Sequence, residues 1–319
     1  MMTITHDMTF EHLIAPLDRK TFFNEYFEKK PFVIKRENSQ FFASLLQLKD
    51  IEAALLADDI LSKVNMRMVK LGDPIPAQDY IQIEKVRNVE IRNKLLLDEV
   101  SRLFNEEKAT FVLEQTKSLW PTVSHMLSSI NEAFCCSSNT NIYISPPGAC
   151  GFAIHYDSHD VFVMQIAGAK HWKIYNNPFY LPLGIHNSLP FKTEDLELLY
   201  DLEVEAGDTI YLPRGFVHEA STSHDLSAHI TAGIYNTTLA KVLSDYVISL
   251  AGREGILRES VLALVSQYEG SEADLLAKIG DVLTSSLDMS VLRKSIQQAV
   301  RKDAKSPVRE IFKTEALIQ

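Results

Sequence analysis

The spacing of hydrophobic residues divides the chain into three regions of different character. In the first, residues 1–110, short apolar stretches follow both helical and strand periods. The elements predicted there are two helices and one strand: residues 18–30, 48–56 and 32–35. Helical spacing continues over residues 98–134, with an interruption at Pro121. We therefore expect the first region to be a mixed α/β elaboration.

The second region, residues 111–237, changes character from about residue 139, where short β-branched runs alternate with Gly, Pro and Asn. These runs predict closely spaced strands: residues 140–145, 152–156, 161–166, 171–175, 209–212 and 229–235. Short strands with such turns are typical of an antiparallel sandwich or barrel. The expected fold class is therefore α+β with a mainly β core.

The third region, residues 238–319, has apolar residues at helical intervals. The predicted helices are residues 239–250, 257–268, 272–283 and 291–301. Amphipathic helices need an apolar partner surface, so we expect a homodimer through this region. Its last part, residues 292–319, holds seven basic and three acidic residues. That segment is either an interaction surface or, more commonly for such runs, a solvated helix face.

Composition and charge exclude several classes of protein. Hydrophobic residues are 46% and charged residues 23% of the chain, as in globular proteins, and no apolar run approaches the roughly 18 residues that span a bilayer. The N-terminus lacks the basic start and apolar core of a secretory signal. The net charge of −10 disfavours direct nucleic-acid binding but suits a basic protein partner. Three irregularly spaced cysteines favour a reducing, cytoplasmic location.

His155 and Asp157 have the spacing that points most directly to chemistry. Residues two apart in a strand project from the same face, so this imidazole and carboxylate can bind one ion. His218 is the third candidate ligand, because it follows a strand and a Pro-Arg-Gly turn in a sheet that can fold back on itself. Two histidines and one carboxylate form the facial triad of non-haem iron(II) oxygenases, although zinc accepts the same ligands. A buried histidine–aspartate pair without a metal is the competing interpretation.

Lys170 supplies a candidate cation close to these residues. It lies fifteen positions after His155 and opens the next predicted strand. A dicarboxylate bound end-on to a metal needs a positive partner at its far carboxylate, and the compact ammonium of lysine suits that task. An ordinary exposed lysine is the alternative, and the spacing alone favours neither.

Four phrases of the chain together resemble the JmjC oxygenases of the cupin superfamily, and especially their ribosomal-oxygenase branch. They are Asn141-Ile-Tyr-Ile-Ser-Pro-Pro-Gly148, His155-Tyr-Asp-Ser-His-Asp-Val-Phe-Val-Met-Gln165, Gly168-Ala-Lys-His-Trp172 and Gly207-Asp…Tyr-Leu-Pro-Arg-Gly…His218-Glu-Ala. Residues 22–34 are similar to the opening of that branch, and the resemblance covers roughly residues 10–240. It implies a double-stranded β-helix, or jelly-roll, fold with iron(II) as cofactor and 2-oxoglutarate as co-substrate.

The resemblance also implies roles for individual residues. His155, Asp157 and His218 match the iron ligands of the family. The residues that match co-substrate-pocket positions are Lys170, which would pair with the distal carboxylate, and Asn141, Tyr143 and Ser227. For the last three, ordinary strand packing or a loop position is the alternative explanation.

The activity that the resemblance implies is hydroxylation of a protein or peptide side chain with dioxygen. N-methyl-lysine demethylation and small-molecule hydroxylation would use the same chemistry. Larger members of the branch carry a helical dimerisation region and a winged helix, whereas only 84 residues follow Tyr235 here, which argues against assuming a ribosomal-protein substrate. A non-catalytic cupin-like scaffold is an alternative of another class and would fail to bind a metal. A metal-dependent isomerase or hydrolase would bind a metal but not 2-oxoglutarate.

Overall fold

The computed structural model describes residues 8–87, 89–150, 152–186, 191–222, 224–262, 264, 272–285 and 289–302. Their contacts form two compact units. The first combines the residues up to Ile130 with Ser137–Tyr235, and the second combines Asn131–Cys136 with the residues from Asn236 onward. The domain limits predicted from the sequence stay predictions.

Antiparallel strands are the main secondary structure of the first unit. They are β1 Phe32–Ile34, β2 Asn65–Lys70, β3 Asp73–Pro74, β4 Ile81–Val86, β5 Val89–Leu95, β6 Thr110–Glu114, β7 Ser137–Ser145, β8 Asp160–Ala167, β9 Ala169–Tyr175, β10 Leu198–Glu205, β11 Thr209–Leu212, β12 His218–Ser221 and β13 Ser227–Tyr235. Its helices are α1 Phe10–Ile14, α2 Arg19–Thr21, a π-helical turn Phe22–Tyr26, α3 Leu48–Leu55, α4 Ile60–Lys63, α5 Leu97–Asn105 and α6 Pro121–Phe134, whose last residues belong to the second unit.

The strands form one large sheet, one small sheet and a separate hairpin. The large sheet has eight strands in the order β1-β11-β8-β13-β7-β6-β2-β3, and the small sheet has the order β10-β9-β12. The hairpin pairs β4 with β5. The predicted mainly β core of antiparallel strands is therefore confirmed.

A buried apolar cluster joins the large sheet to the small one. Its members come from β8 and β11 on one side and from β9 and β10 on the other: Val161, Val163, Trp172, Ile174, Val204, Ile210 and Leu212. The alternation along β9 explains how this core forms, because Lys170, Trp172 and Ile174 are buried while the residues between them are only half-buried. A lysine among the buried residues of a strand is unusual, so Lys170 indicates that a functional site lies in this part of the core.

Three details of the predicted elements are wrong. Residues 98–134 are not helical throughout, because β6 lies between α5 and α6; its apolar run is too short for periodicity to tell a strand from a helix. Residues 152–156 do not form a regular strand, and within them only His155 pairs with another segment, in an isolated bridge. Strand β10 was not expected, although Leu198, Tyr200, Leu202 and Val204 recur at every second position, and the last three of them pack on or in the core cluster.

The second unit is helical, as predicted. Its helices are α7 Leu239–Leu250, a 3-10 turn Gly255–Arg258, α8 Glu272–Ser285 and α9 Met289–Lys302. Helices α7, α8 and α9 begin and end within two residues of the limits predicted for three of the four helices. The predicted helix at residues 257–268 and the basic segment at residues 292–319 lie partly outside the described residues. Among the described helices, none has the length and apolar character needed to cross a membrane.

Candidate metal centre and its pocket

The three predicted metal ligands come together beside the small sheet. His155 and His218 form an antiparallel bridge in which the His155 N–H donates to the His218 carbonyl at 3.1 Å and the His218 N–H donates to the His155 carbonyl at 2.8 Å. One ligand atom from each of His155, Asp157 and His218 lies within 4.8 Å of the other two. Asp157 Oδ2 is 3.8 Å from His218 Nε2. The side chains therefore surround one point.

A glycine turn after β11 fixes the backbone of Asp157. The Gly215 N–H donates to the Asp157 carbonyl at 3.0 Å, and Gly215 has a φ of +91°. A Cβ at this position would lie 2.4 Å from the Phe179 carbonyl oxygen, so the turn needs a residue without a side chain. This is the physical reason for the glycine in the Pro-Arg-Gly phrase.

Arg214, the arginine of the same turn, holds the turn in place through its contacts with Asp160 and Glu28. The Arg214 N–H donates to Asp160 Oδ1 at 3.0 Å, and Arg214 Nη1 forms an ion pair with Glu28 at 2.7 Å. Asp160 is fully buried and also accepts a hydrogen bond from the Tyr211 hydroxyl at 3.2 Å. The N-terminal segment, the first residue of β8 and the turn that precedes His218 are thus tied together.

Backbone acceptors determine which nitrogen of each histidine is available to a metal. His155 Nδ1 lies 2.7 Å from the Ala153 carbonyl oxygen and His218 Nδ1 lies 3.0 Å from the Phe216 carbonyl oxygen. Because a carbonyl only accepts, each Nδ1 carries the proton and each Nε2 keeps a lone pair for an ion. Burial lowers the pKa of His218 to about 4, with a further contribution from His155, so this imidazole is neutral as a metal ligand requires.

A cavity of about 290 Å³ opens onto the triad. The walls are mostly apolar or aromatic, with a few convergent polar groups, as in sites for small molecules. The residues that line it are Arg67, Tyr143, Phe152, His155, Asp157, Val161, Val163, Lys170, Trp172, Leu212, His218, Ala220, His229 and Thr231. The triad and Lys170 therefore share one cavity.

Lys170 is held in this cavity by a chain of hydroxyls. Its side chain donates from Nζ to Ser145 Oγ at 3.2 Å, and Ser145 Oγ lies 3.0 Å from Thr110 Oγ1. Lys170 is 4% exposed, and burial lowers the pKa of its ammonium to about 8, with Cys150 opposing the shift. No acidic side chain pairs with it among the described residues, so a bound carboxylate would find an uncompensated cation.

Two further polar side chains stack beside this lysine. The rings of Tyr143 and His229 lie parallel with centroids 4.9 Å apart, and their residues are opposite one another in β7 and β13. Burial raises the pKa of Tyr143 to about 12, with a contribution from Asp157, and burial together with Lys170 holds the pKa of His229 well below its usual range. Among the described residues, His229 Nδ1 and Trp172 Nε1 are buried without hydrogen-bond partners. Such groups are expected where a polar ligand completes the pocket.

Two of the predicted pocket residues lie outside the cavity lining. Asn141 is in β7 beside Tyr143, and its Oδ1 accepts a hydrogen bond from the Gln115 N–H at 3.1 Å. Ser227 is fully buried in β13, where its Oγ accepts a hydrogen bond from Gln165 Nε2 at 2.8 Å. Any contact of these two side chains with a co-substrate stays a prediction.

Nine lining residues were not assigned to the site from the sequence, and the charged or aromatic ones among them are Arg67, Phe152, Trp172 and His229. For two of them the sequence pattern gave an indication. Trp172 lies two residues after Lys170 and therefore on the same face of β9, and His229 lies on the inward face of β13, opposite Tyr143. Arg67 carried no such signal, since no element was predicted for the segment that forms β2. Phe152 lies in a loop whose path the sequence does not determine.

The donor set fits iron(II). Two neutral imidazoles and one carboxylate on one side of an ion are the ligands of non-haem iron(II) oxygenases. Among the described residues, no fourth His, Cys, Asp or Glu joins the group, so coordination positions are left for other ligands. A closed structural zinc site would need a fourth protein ligand.

The fold and this site define a JmjC protein. A family model described as the JmjC domain matches residues 114–242, which include the triad, Lys170 and the strands that carry them. The fold also resembles that of Escherichia coli ycfD, with a TM-score of 0.52 and 16% identity over 89% of this chain and 72% of that one. Another structure of that protein contains cobalt and 2-oxoglutarate. The chain belongs to the JmjC family, and its β core is the predicted double-stranded β-helix.

Within that family the chain is ribosomal-oxygenase-like. It is 31% identical to "Ribosomal oxygenase 1" of Danio rerio over 229 residues, which cover 71% of this chain and 40% of the relative. It is 28% identical over 273 residues to "Bifunctional lysine-specific demethylase and histidyl-hydroxylase NO66" of Drosophila persimilis, covering 85% of this chain and 37% of that protein. The chain thus spans less than half the length of these relatives.

Proposed function

We propose that this protein is an iron(II)- and 2-oxoglutarate-dependent dioxygenase that hydroxylates a side chain of a protein or peptide. The observation that carries the proposal is that one cavity contains both the two-histidine, one-carboxylate triad and the buried cation Lys170. A metal chelated by a keto acid needs the triad, and the far carboxylate of that acid needs the lysine. Neither a scaffold nor a hydrolase has a use for both.

In this proposal each residue of the site has a defined task. His155, Asp157 and His218 hold iron(II) through Nε2, a carboxylate oxygen and Nε2. Lys170 binds the distal carboxylate of 2-oxoglutarate, while Ser145 orients the ammonium. When bound, iron(II) and 2-oxoglutarate supply oxidative chemistry in which dioxygen, the keto acid and a substrate C–H bond become succinate, carbon dioxide and an alcohol.

The apolar walls of the cavity serve the same chemistry by excluding water. Val161, Val163 and Leu212 line it together with the ring of Trp172. A dry site strengthens the attraction between Lys170 and a carboxylate and protects reactive species from side reactions. Its volume, about 290 Å³, is close to the lower limit of small-molecule sites, so we expect a co-substrate and one side chain to fill it.

A protein substrate is favoured by the relatives. One is named a ribosomal oxygenase and another a bifunctional lysine demethylase and histidyl-hydroxylase. Side-chain hydroxylation is the leading activity for this chain, and ribosomal proteins are the first substrates to test. N-methyl-lysine demethylation is the second candidate, because hydroxylation of the methyl group releases formaldehyde by the same chemistry.

The decisive experiment has two readouts. Purified protein with iron(II), 2-oxoglutarate and air should form succinate, and His155→Ala should not. Incubation with total ribosomal protein should then yield peptides heavier by one oxygen atom, detected by mass spectrometry and missing with the variant. Metal binding without succinate formation would contradict the oxygenase, and succinate without modified peptides would redirect the search to small molecules.

We further propose that the protein is a cytoplasmic homodimer that assembles through its C-terminal helices. Leu239, Leu243 and Val247 recur at four-residue intervals on α7 and are all exposed, so they form an apolar stripe. A second copy would remove this stripe from water. Light scattering should give a dimer for the protein and a monomer for a Leu243→Glu, Val247→Glu variant, while cell fractionation tests the location.

A further inference from the structure

Arg67 is a cavity residue that lies outside the matched JmjC region. It is in β2, and its Nε forms an ion pair with Glu114 Oε1 at 2.7 Å. Its guanidinium carbon lies 5.2 Å from the centroid of the Phe152 ring. An ion pair on one side and an aromatic ring on another hold the guanidinium in one orientation.

The outer part of this guanidinium has hydrogen-bonding capacity to spare. Nε lies 2.7 Å from Glu114 Oε1 without the geometry of a hydrogen bond, and among the described residues no hydrogen bond from the Arg67 guanidinium is found. The side chain of Arg67 is 38% exposed, whereas Lys170 is 4% exposed. Arg67 therefore lies at the outer part of the cavity and Lys170 at its inner part.

The two cations of the cavity differ in charge balance as well as in depth. Within the part of the chain that the structure describes, Lys170 has only a serine hydroxyl as its hydrogen-bond partner, so it offers a net positive charge to a dicarboxylate. The charge of Arg67 is already offset by Glu114, so a second carboxylate would gain little there. Donors without net charge suit a neutral oxygen acceptor, and the commonest such acceptor in a protein substrate is a main-chain carbonyl.

The register of β2, β6, β7 and β13 places further polar side chains on the same face of the large sheet as Arg67. Arg67 is opposite Val112, which is opposite Tyr143, so the side chains of these positions share one face of the large sheet. Positions two residues away along β6 and β7 lie on the same face, and β13 continues the row. The polar row is Arg67, Glu114, Asn141 and Thr231.

We propose that Arg67 is a substrate-binding, specificity-determining residue that donates hydrogen bonds to a main-chain carbonyl of an extended polypeptide, beside the residue that is hydroxylated. The polar row is the surface along which that segment lies. The inference rests on the proposed function and adds to it the form in which the substrate is recognised. It also separates the two cations, Lys170 for the co-substrate and Arg67 for the polypeptide.

The test compares Arg67→Gln with wild type and with Lys70→Gln, a control on the same strand that also loses an exposed ion pair. The first readout is succinate formation without any protein substrate, which reports the Michaelis constant for 2-oxoglutarate. The second is mass-spectrometric hydroxylation of the modified ribosomal protein at increasing concentration. The third is direct binding of that protein to the manganese-loaded enzyme.

Arg67→Gln should raise the half-saturating and dissociation constants for the ribosomal protein by about tenfold or more, the scale of a charged hydrogen-bond donor, and leave the constant for 2-oxoglutarate within about twofold. Lys70→Gln should change neither. If Arg67→Gln fails to fold, Arg67→Lys should show a smaller change in the same direction. Unchanged protein binding, or a parallel loss of 2-oxoglutarate affinity, would overturn the inference alone. If the wild type modifies no protein, the proposed function falls and this inference with it.

Discussion

His155 and His218 are 63 positions apart in the sequence, yet their backbones are hydrogen-bonded to each other in both directions, at 3.1 and 2.8 Å. The two imidazoles, with ring centroids 4.5 Å apart, are therefore brought together by the main chain. The backbone bridge itself holds the two ligands side by side, which organises the site for an ion. Preorganisation of this kind lowers the cost of binding.

The first prediction concerns this bridge. His218→Ala keeps the backbone hydrogen bonds but removes one ligand, so the affinity for cobalt(II), a spectroscopic probe for iron(II), should fall at least about a hundredfold. Absorbance titration measures it, and His171→Ala, whose side chain pairs with Asp201 instead, is the control. If cobalt binds both variants as tightly as wild type, the triad is not the metal site.

The second prediction concerns Lys170. Lys170→Ala should weaken 2-oxoglutarate binding by about 1.5–3 kcal/mol, roughly 10- to 150-fold, because it removes a charge-assisted hydrogen bond in a buried site. Metal affinity should change little. Calorimetry on the manganese-loaded protein tests this, with Lys173→Ala as the matched control, since Lys173 is on the other face of β9. Equal affinities for 2-oxoglutarate would place the lysine outside the binding site.

The third prediction is a pH dependence of co-substrate binding. Burial lowers the pKa of Lys170 to about 8, Cys150 opposes the shift, and the neighbouring His229 stays neutral because its own pKa is lowered. Below pH 8 the lysine is charged and the affinity for 2-oxoglutarate should be constant. Above pH 8 a proton must be taken up on binding, so the affinity should fall by up to about tenfold per pH unit.

The same binding assay between pH 6.5 and 9.5 checks this expectation. Lys170→Arg is the control, because its guanidinium stays charged over the whole range, and its affinity should not fall along with that of wild type. A wild-type curve that is level through pH 9 would show that the charge of Lys170 does not contribute to binding.

The fourth prediction concerns the buried contact between Arg214 and Asp160. Arg214→Met should lower the free energy of unfolding by about 3–5 kcal/mol, because it leaves a fully buried carboxylate without its charged partner. Arg102→Met removes two solvent-exposed ion pairs, with Glu99 and Glu107, and should lower the free energy of unfolding much less. Urea unfolding followed by tryptophan fluorescence measures both. Similar losses in the two variants would mean that the buried arginine is not an anchor of the turn.

Much of the site could be predicted from the sequence because its chemistry lies in short phrases. The His-x-Asp spacing, the Pro-Arg-Gly turn before His218 and the lysine at the start of β9 can all be recognised in the sequence itself. The structure brings the side chains of His155, Asp157, His218 and Lys170 into one cavity. Strands β8, β11 and β13 were also predictable, since their apolar runs are bounded by turn residues.

The remaining features depend on contacts between distant segments, which no local pattern reveals. His155 was expected to share a strand with Asp157, yet it pairs only with His218 through an isolated bridge. Arg67 enters the cavity because β2 joins the far side of the large sheet through β6. Strand β10 differs from these two cases, because the alternation of Leu198, Tyr200, Leu202 and Val204 with charged residues is a local strand pattern that the prediction overlooked.

The large sheet includes strands that lie outside the region matched by the JmjC family model. Strands β1, β2 and β3, and all but the last residue of β6, precede residue 114, where the family match begins. A fragment trimmed to residues 114–242 would have bare hydrogen-bonding edges on β11 and β7, which invite self-association. It would also lack three supporting residues. Thr110 contacts Ser145, the hydrogen-bond partner of Lys170, and Glu28 forms an ion pair with the buried Arg214. Arg67 lines the cavity. The JmjC region therefore depends on residues outside it, and any shortened or transferred version must include the N-terminal strands.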